Sequence, residues 1–211
     1  MKRSLILAAS LFLAGAPLLR ADDAMAVKPP TPGAYKFDTA HSQLAFKVAH
    51  MVISTVNGKF GTFEGTILVK SSGRISVAAD ADAASVDTGN SMRDAHLRGN
   101  ATGKPKDDFF YAEKYPKLTF KSSKVTLDGQ KLTVTGDLTI RGVTKNVTFD
   151  GTYNGSVTAM GGEHVGATLS TVINRKDFGL KFAYAIEAGP VVGNSVTLNL
   201  DIEAVKGDKK K

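Results

Sequence analysis

The chain has 211 residues, a formal net charge of +7, and neither cysteine nor tryptophan. Those figures exclude disulfide staples and any zinc or redox centre built on cysteine. The basic residues are scattered and never interleave with aromatics, which argues against a nucleic-acid surface and for a solvated one.

The first stretch reads as an export signal. "MKR" is a short cationic start, and "SLILAASLFLAGAPLL" is an uncharged apolar run that ends at Leu19. The run is shorter than the roughly 20 residues a spanning helix needs, and small residues follow it, so cleavage is expected after Ala21 or Ala26. Residues 1–26 hold three basic and two acidic side chains, which leaves the remainder at +6. A Pro-rich linker is expected over 27–34, one domain over 35–205, and a basic tail over 206–211. A cysteine-free exported chain points to the bacterial periplasm. A domain of this size buries about 70% of its unfolded surface, enough to hold a core without staples.

From residue 43 onward the apolar residues alternate with polar ones, the pattern of strands with one dry face and one wet face. Leu44, Phe46 and Val48 share a face. Phe60 and Phe63 are three apart around Gly61, which predicts a bend or bulge. Ile75, Val77, Ala79, Ala81 and Ala83 form a face made mostly of alanine. Leu132, Val134, Leu138 and Ile140 keep one phase across Gly136. Val147, Phe149 and Tyr153 follow, then Val165, Ala167, Leu169 and Ile173, and finally Val196, Leu198, Leu200 and Ile202. "LDGQ" at 127–130 and "RGVTK" at 141–145 read as hairpin turns. Eight or nine long antiparallel strands with bends at glycine favour a closed barrel over a sandwich. The fold class expected is all-β, with helix confined to 90–115.

That helical stretch carries the densest polar cluster. "SMRDAHLRGN" puts Ser91 and Asp94 at capping-box spacing, with Asp94 and Arg98 four apart and able to pair. Arg93, Asp94 and His96 read either as a working polar cluster or as a device that fastens a helix to the barrel end. The fastening reading is favoured: Asp94 caps, Met92 and Leu97 pack, and Arg93 bonds loop carbonyls. "DFFYAEKYP" (108–116) supplies one further turn that stops at Pro116.

Catalytic and metal motifs are lacking. The histidines are His41, His50, His96 and His164, and no two stand at i, i+4 spacing on a helix. His41 and Ser42 are adjacent and point to opposite faces of a strand, so they are no nucleophile–base pair. No G-x-S-x-G elbow or phosphate-cradling loop occurs. The remaining feature is the barrel interior, with Phe46, Val48, Phe60, Phe63, Leu118, Phe120, Leu138 and Ile140 as its inward-facing candidates. Small residues opposite large ones either interlock or leave a channel.

Five stretches then resemble one family. "FDTAHSQLAFKVAHMVISTVNGKFGTFEGTI", "VDTGNSMRDAHLR", "DDFFYAEKYPKLTFKSSKV", "GDLTIRGVTKNVTFD" and "INRKDFGL" occur in the order seen in the YceI-like polyisoprenoid-binding proteins, from about Tyr35 to Val205. The resemblance implies a lipocalin-like, eight-stranded antiparallel barrel in the periplasm. It implies an apolar tunnel for a long isoprenoid or fatty amphiphile, such as a quinone tail, and binding or carriage rather than catalysis. No catalytic residue, metal or cofactor carries over; a quinone or other lipid would be ligand. His50, Arg93 and His96 are then the candidates for holding a head group at the mouth. The partners implied are the amphiphile itself and a transient membrane surface, and a homodimer is compatible. The alternative reading is an enzyme or stress-response factor acting on a lipid-like substrate through Arg93, Asp94 and His96. Two features depart from the family: "GNATGKPKD" (99–107) is an inserted loop, and Asn146 stands where proline is common.

Overall fold

The computed structural model describes residues 27–99, 101, 109–181 and 191–207. The expected signal peptide and most of the 99–107 insertion lie outside them. Eleven strands form one antiparallel sheet: β1 Gly33–Phe37, β2 Gln43–His50, β3 Ser54–Phe60, β4 Phe63–Val69, β5 Ile75–Asp82, β6 Val86–Asp87, β7 Lys117–Asp128, β8 Lys131–Ile140, β9 Val143–Ala159, β10 Gly162–Asn174 and β11 Val192–Lys206. Their order is β1-β4-β5-β7-β8-β9-β10-β11-β2-β3-β6, and β11 also pairs with β1 to close the barrel.

Eleven strands reduce to eight staves. Both β1 and β2 run antiparallel to β11, at Lys206–Ala204 and Asp201–Val192, so together they make one stave interrupted at 38–42. β3 and β4 are one stave bent at Gly61–Thr62, the bend expected between Phe60 and Phe63. There the Gly61 amide donates to the Ser85 carbonyl at 3.0 Å. β5 and β6 are a third stave, broken by a 3-10 turn over Ala83–Ser85. A second 3-10 turn covers Arg175–Phe178. Helical structure is therefore not confined to 90–115, because a short turn also forms where a stave breaks and another where β10 ends.

The alternation fixes which face is dry. On β8, Leu132, Val134, Gly136, Leu138 and Ile140 are all buried. A Cβ on Gly136 would lie 2.4 Å from the Lys121 carbonyl oxygen, so only glycine lets β7 and β8 approach there. The β8–β9 turn has positive φ at both Arg141 and Gly142 (51° and 75°), the two-residue hairpin geometry that matches strand twist. Inside, one group of buried residues is centred on Phe46, Phe60, Phe110 and Phe178, and another on Tyr35, Phe149, Tyr153 and Leu169.

Among the described residues one α-helix, α1, forms, over Ser91–Arg98. Its cap is Asn90, whose side chain accepts from the Arg93 amide at 3.0 Å. Ser91, expected as the cap, is the first helical residue instead. Asparagine one position earlier takes the Arg93 amide, the Asp94 amide donates to the Asn90 carbonyl at 2.9 Å, and the buried Asp94 carboxylate turns back to Thr88. Above Asp82 and Lys117, β6 and β7 part, and α1 fills the gap. Arg98 donates to the carbonyls of Ala84 and Val86, both at 2.8 Å, in place of the expected pair with Asp94. The Phe110 and Ala112 amides donate to Leu97 and Arg98 at 3.0 and 2.9 Å. Leu97 packs on the core. Met92, also expected to pack on the barrel, is instead 74% exposed where it borders the mouth of the upper cavity.

Candidate functional site: an apolar barrel interior

The interior is not filled by side chains. A lower cavity of about 180 Å³ lies between β5, β7, β8 and β9 on one side and β1, β10 and β11 on the other. An upper cavity of about 310 Å³ lies beneath α1. Phe60, Leu118, Ile140 and Leu198 line both, and so mark the level that separates them. Together the cavities reach the lower part of the range of small-molecule sites, about 300–1,000 Å³.

The lower cavity owes its space to the alanine face of β5. Val77, Ala79 and Ala81 line it opposite Phe120, Phe149 and Leu169. Its lining is almost wholly hydrocarbon and aromatic. The floor is closed by residues 28–31 ahead of β1. The Tyr153 hydroxyl donates to the Lys28 carbonyl at 3.0 Å, and the Tyr35 hydroxyl to the Thr31 carbonyl at 2.7 Å. The Thr31 amide donates to Glu163 at 3.0 Å, its hydroxyl also bonds that carboxylate, and Lys206 pairs with Glu163 at 3.3 Å. Burial alone would raise the Glu163 pKa, but the bonds from Thr31 outweigh it and hold the group at about 2. Burial pushes the hydroxyls of Tyr35 and Tyr153 upward, so both stay protonated donors.

The upper cavity has a polar rim. His50, Asn90, Arg93, His96 and Arg175 line it beside Phe46, Phe109, Phe110 and Ile173. Arg93 donates from Nε to the Thr88 hydroxyl at 2.7 Å and from Nη2 to the Thr88 carbonyl at 2.9 Å. Asp94, 5% exposed, accepts from the Thr88 amide and hydroxyl at 3.0 and 2.6 Å. The Asp94 carboxylate is thus tied to the loop before the helix. Arg175, 3% exposed, donates to the carbonyls of Leu180 at 2.7 Å, Gly193 at 2.9 Å and Val192 at 3.3 Å. Arg141 donates to Phe109 and Gly179 at 3.0 and 2.9 Å. Beside this rim the β2–β3 turn exposes Met51, Val52 and Ile53, at 52%, 78% and 87%. Val52 has φ +67°, which a β-branched residue adopts only under strain.

The structure distributes the sequence candidates between the two cavities. Phe46, Val48 and His50 line the upper one, and Phe120 and Leu138 the lower. Phe60, Leu118 and Ile140 line both. Phe63 is buried in the upper core and borders neither cavity. Arg93 and His96 stand on the upper rim with His50. Sequence reasoning missed Phe109, Phe110, Leu180 and Arg175. They lie on irregular segments, where alternation gives no signal.

The comparisons agree with this architecture. The model of the YceI-like domain matches residues 35–204. A UPF0312 protein of Pseudomonas putida is 37% identical over 205 residues, 93% of this chain and 94% of its own length. A UPF0312 protein of Staphylococcus aureus is 35% identical over 162 residues, 75% of this chain and 88% of its own. Among solved structures, a Campylobacter jejuni YceI protein superposes with TM-score 0.63 at 31% identity, covering 86% of this chain and 99% of that one. A Saccharophagus degradans domain described as polyisoprenoid binding has TM-score 0.62 at 16% identity, covering 83% and 99%; that likeness bears on the fold.

Proposed function

The chain belongs to the YceI-like family, and from that membership and its hollow interior we propose that it binds and carries a long isoprenoid or fatty amphiphile. One observation carries this reading: two apolar cavities share Phe60, Leu118, Ile140 and Leu198 as walls inside a closed barrel, and the upper one is rimmed by His50, Asn90, Arg93, His96 and Arg175. The tail lies in the lower cavity and the head group rests at the rim, near His50, Arg93 and His96. Burying a methylene stabilises binding by about 0.8 kcal/mol, so some fifteen carbons give on the order of 12 kcal/mol before ordering costs. Tight binding therefore needs no chemistry beyond burial.

The function is binding, not catalysis. Of the rim's polar cluster, Asp94 and Arg93 are already engaged with Thr88. The setting is the periplasm, in keeping with the amino-terminal apolar run. Contact with a membrane surface is transient and falls at the exposed Met51-Val52-Ile53 turn, where apolar side chains stand beside the mouth. Native mass spectrometry of protein purified from its own host tests the proposal by showing a lipid that leaves with the folded chain. Bare protein that also takes up no long-chain quinone or fatty amide on titration sinks it.

A further inference from the structure

The outer wall of the barrel carries a second cluster, remote in character from the greasy interior. Where β1 gives way to β2, residues 38–42 bulge from the stave and lie against β11. Asp38, His41 and Glu203 each present a ligand atom there, and these atoms lie within 4.8 Å of one another. His41 Nδ1 is 2.8 Å from Asp38 Oδ2. His164, on β10, places Nδ1 2.8 Å from Glu203 Oε1. Two imidazoles and two carboxylates thus converge from three parts of the fold.

The backbone beneath them is tightly tied. The Asp38 amide donates to the Glu203 carbonyl at 2.9 Å. The Ser42 hydroxyl donates to that same carbonyl at 3.0 Å, and the Glu203 amide donates to the Ser42 hydroxyl at 2.9 Å. Three bonds between one bulge and one residue fix the Cα positions of the candidate ligands. Only side-chain torsions separate the present arrangement from one that surrounds an ion.

We propose that Asp38, His41 and Glu203 form a binding site for a divalent transition-metal ion of the zinc class, with His164 as the residue that positions the Glu203 carboxylate. One imidazole nitrogen and two carboxylate oxygens suit zinc, which takes N and O ligands at about 2.0–2.2 Å and accepts water in a fourth place. Two carboxylates neutralise the ion's charge. A histidine–carboxylate bond behind a ligand is the arrangement that orients it. The location gives the ion a role. Phe37 pairs with Ala204 just below the bulge, and Gln43 with Asp201 just above it. The ion clamps the one interruption in the seam between the β1/β2 stave and β11.

The test uses the full chain without an affinity tag, stripped by a chelator and titrated with zinc chloride by calorimetry. One ion per chain is expected, with a rise in melting temperature that follows the ion's concentration by mass action. His41→Ala and Glu203→Gln should each weaken binding at least 30-fold. His164→Ala should weaken it about 10–100-fold while the stoichiometry stays at one, as expected for a positioning residue. His41 is largely exposed, so its removal leaves the chelated protein folded, which circular dichroism checks. In NMR spectra of the imidazoles, zinc should shift His41 and His164 and leave His50 and His96 in place. No binding below millimolar zinc overturns the proposal, and so does binding that persists in both His41→Ala and Glu203→Gln. Neither outcome touches the lipid reading, which uptake of an amphiphile measures separately.

Discussion

At the lower end of the barrel, β1 hydrogen-bonds to β4 on one side and β11 on the other, and residues 28–31 lie across the opening. At the upper end β6 and β7 part, and α1 with the segment 109–116 completes the wall by side-chain and loop bonds. The same alternating strands run through both halves. The lower half is finished by backbone pairing and the upper by arginines that reach carbonyls. The contrast shows that alternation sets the inner surface, while access is set by what the chain does where its strands stop.

The largest expected effect comes from filling one half alone. Ala79 lines the lower cavity opposite Gly65 and Phe120. Ala79→Phe should exclude about five methylenes of a long tail, about 4 kcal/mol, or nearly a thousandfold in affinity. A short-tailed analogue that needs only the upper cavity should bind as before, and fluorescence titration of both ligands checks it. Equal losses for long and short tails would break the division into halves.

Next is the upper closure. Arg175→Ala leaves three carbonyls without their donor and should cost about 2–4 kcal/mol, read from urea unfolding. A smaller effect attends the fastening of α1. Arg93 and Asp94 share Thr88, so their alanine variants should each cost about 1–2 kcal/mol and combine with clear non-additivity in a double-mutant cycle. Loss of tail binding together with that stability would instead make the cluster part of the site.

An effect of similar size, distinguished by its pH dependence, belongs to the floor. The Glu163 pKa, at about 2, lies below its ordinary value of 4.5, so its stabilisation is fully present above pH 4.5 and is lost as pH falls toward 2. Glu163→Gln should cost about 1–2 kcal/mol at pH 7 and much less near pH 2, seen as converging thermal melts. A constant gap across that range would mean the carboxylate contributes by shape alone.

Much of this was legible in the sequence, and the limits have physical causes. The strand phases, the Phe60–Phe63 bend and the alanine face of β5 follow from period-two burial, which a barrel enforces on every stave. Strand length and the glycine bends favoured a closed barrel, and the family resemblance supplied its lipocalin-like, eight-stranded form and the expected tail ligand. The cap was misplaced because Asn90 and Ser91 are both good caps, and local pattern does not choose between neighbours. Arg175 and Leu180 could not be placed, since a buried arginine is explained by carbonyls that irregular backbone leaves free. Residues 28–31 read as a linker because prolines mark linkers. Here they also lock φ and stiffen a segment that must lie flat across an opening.

Thr31 meets Glu163 across 132 positions of the chain, and Lys36 meets Val205 at the closing seam. Both contacts join residues far apart in sequence, so closing the barrel carries a large loop-closure entropy cost. The seam that closes the barrel is thus also the one whose opening would expose the apolar interior along its length rather than only at its rim.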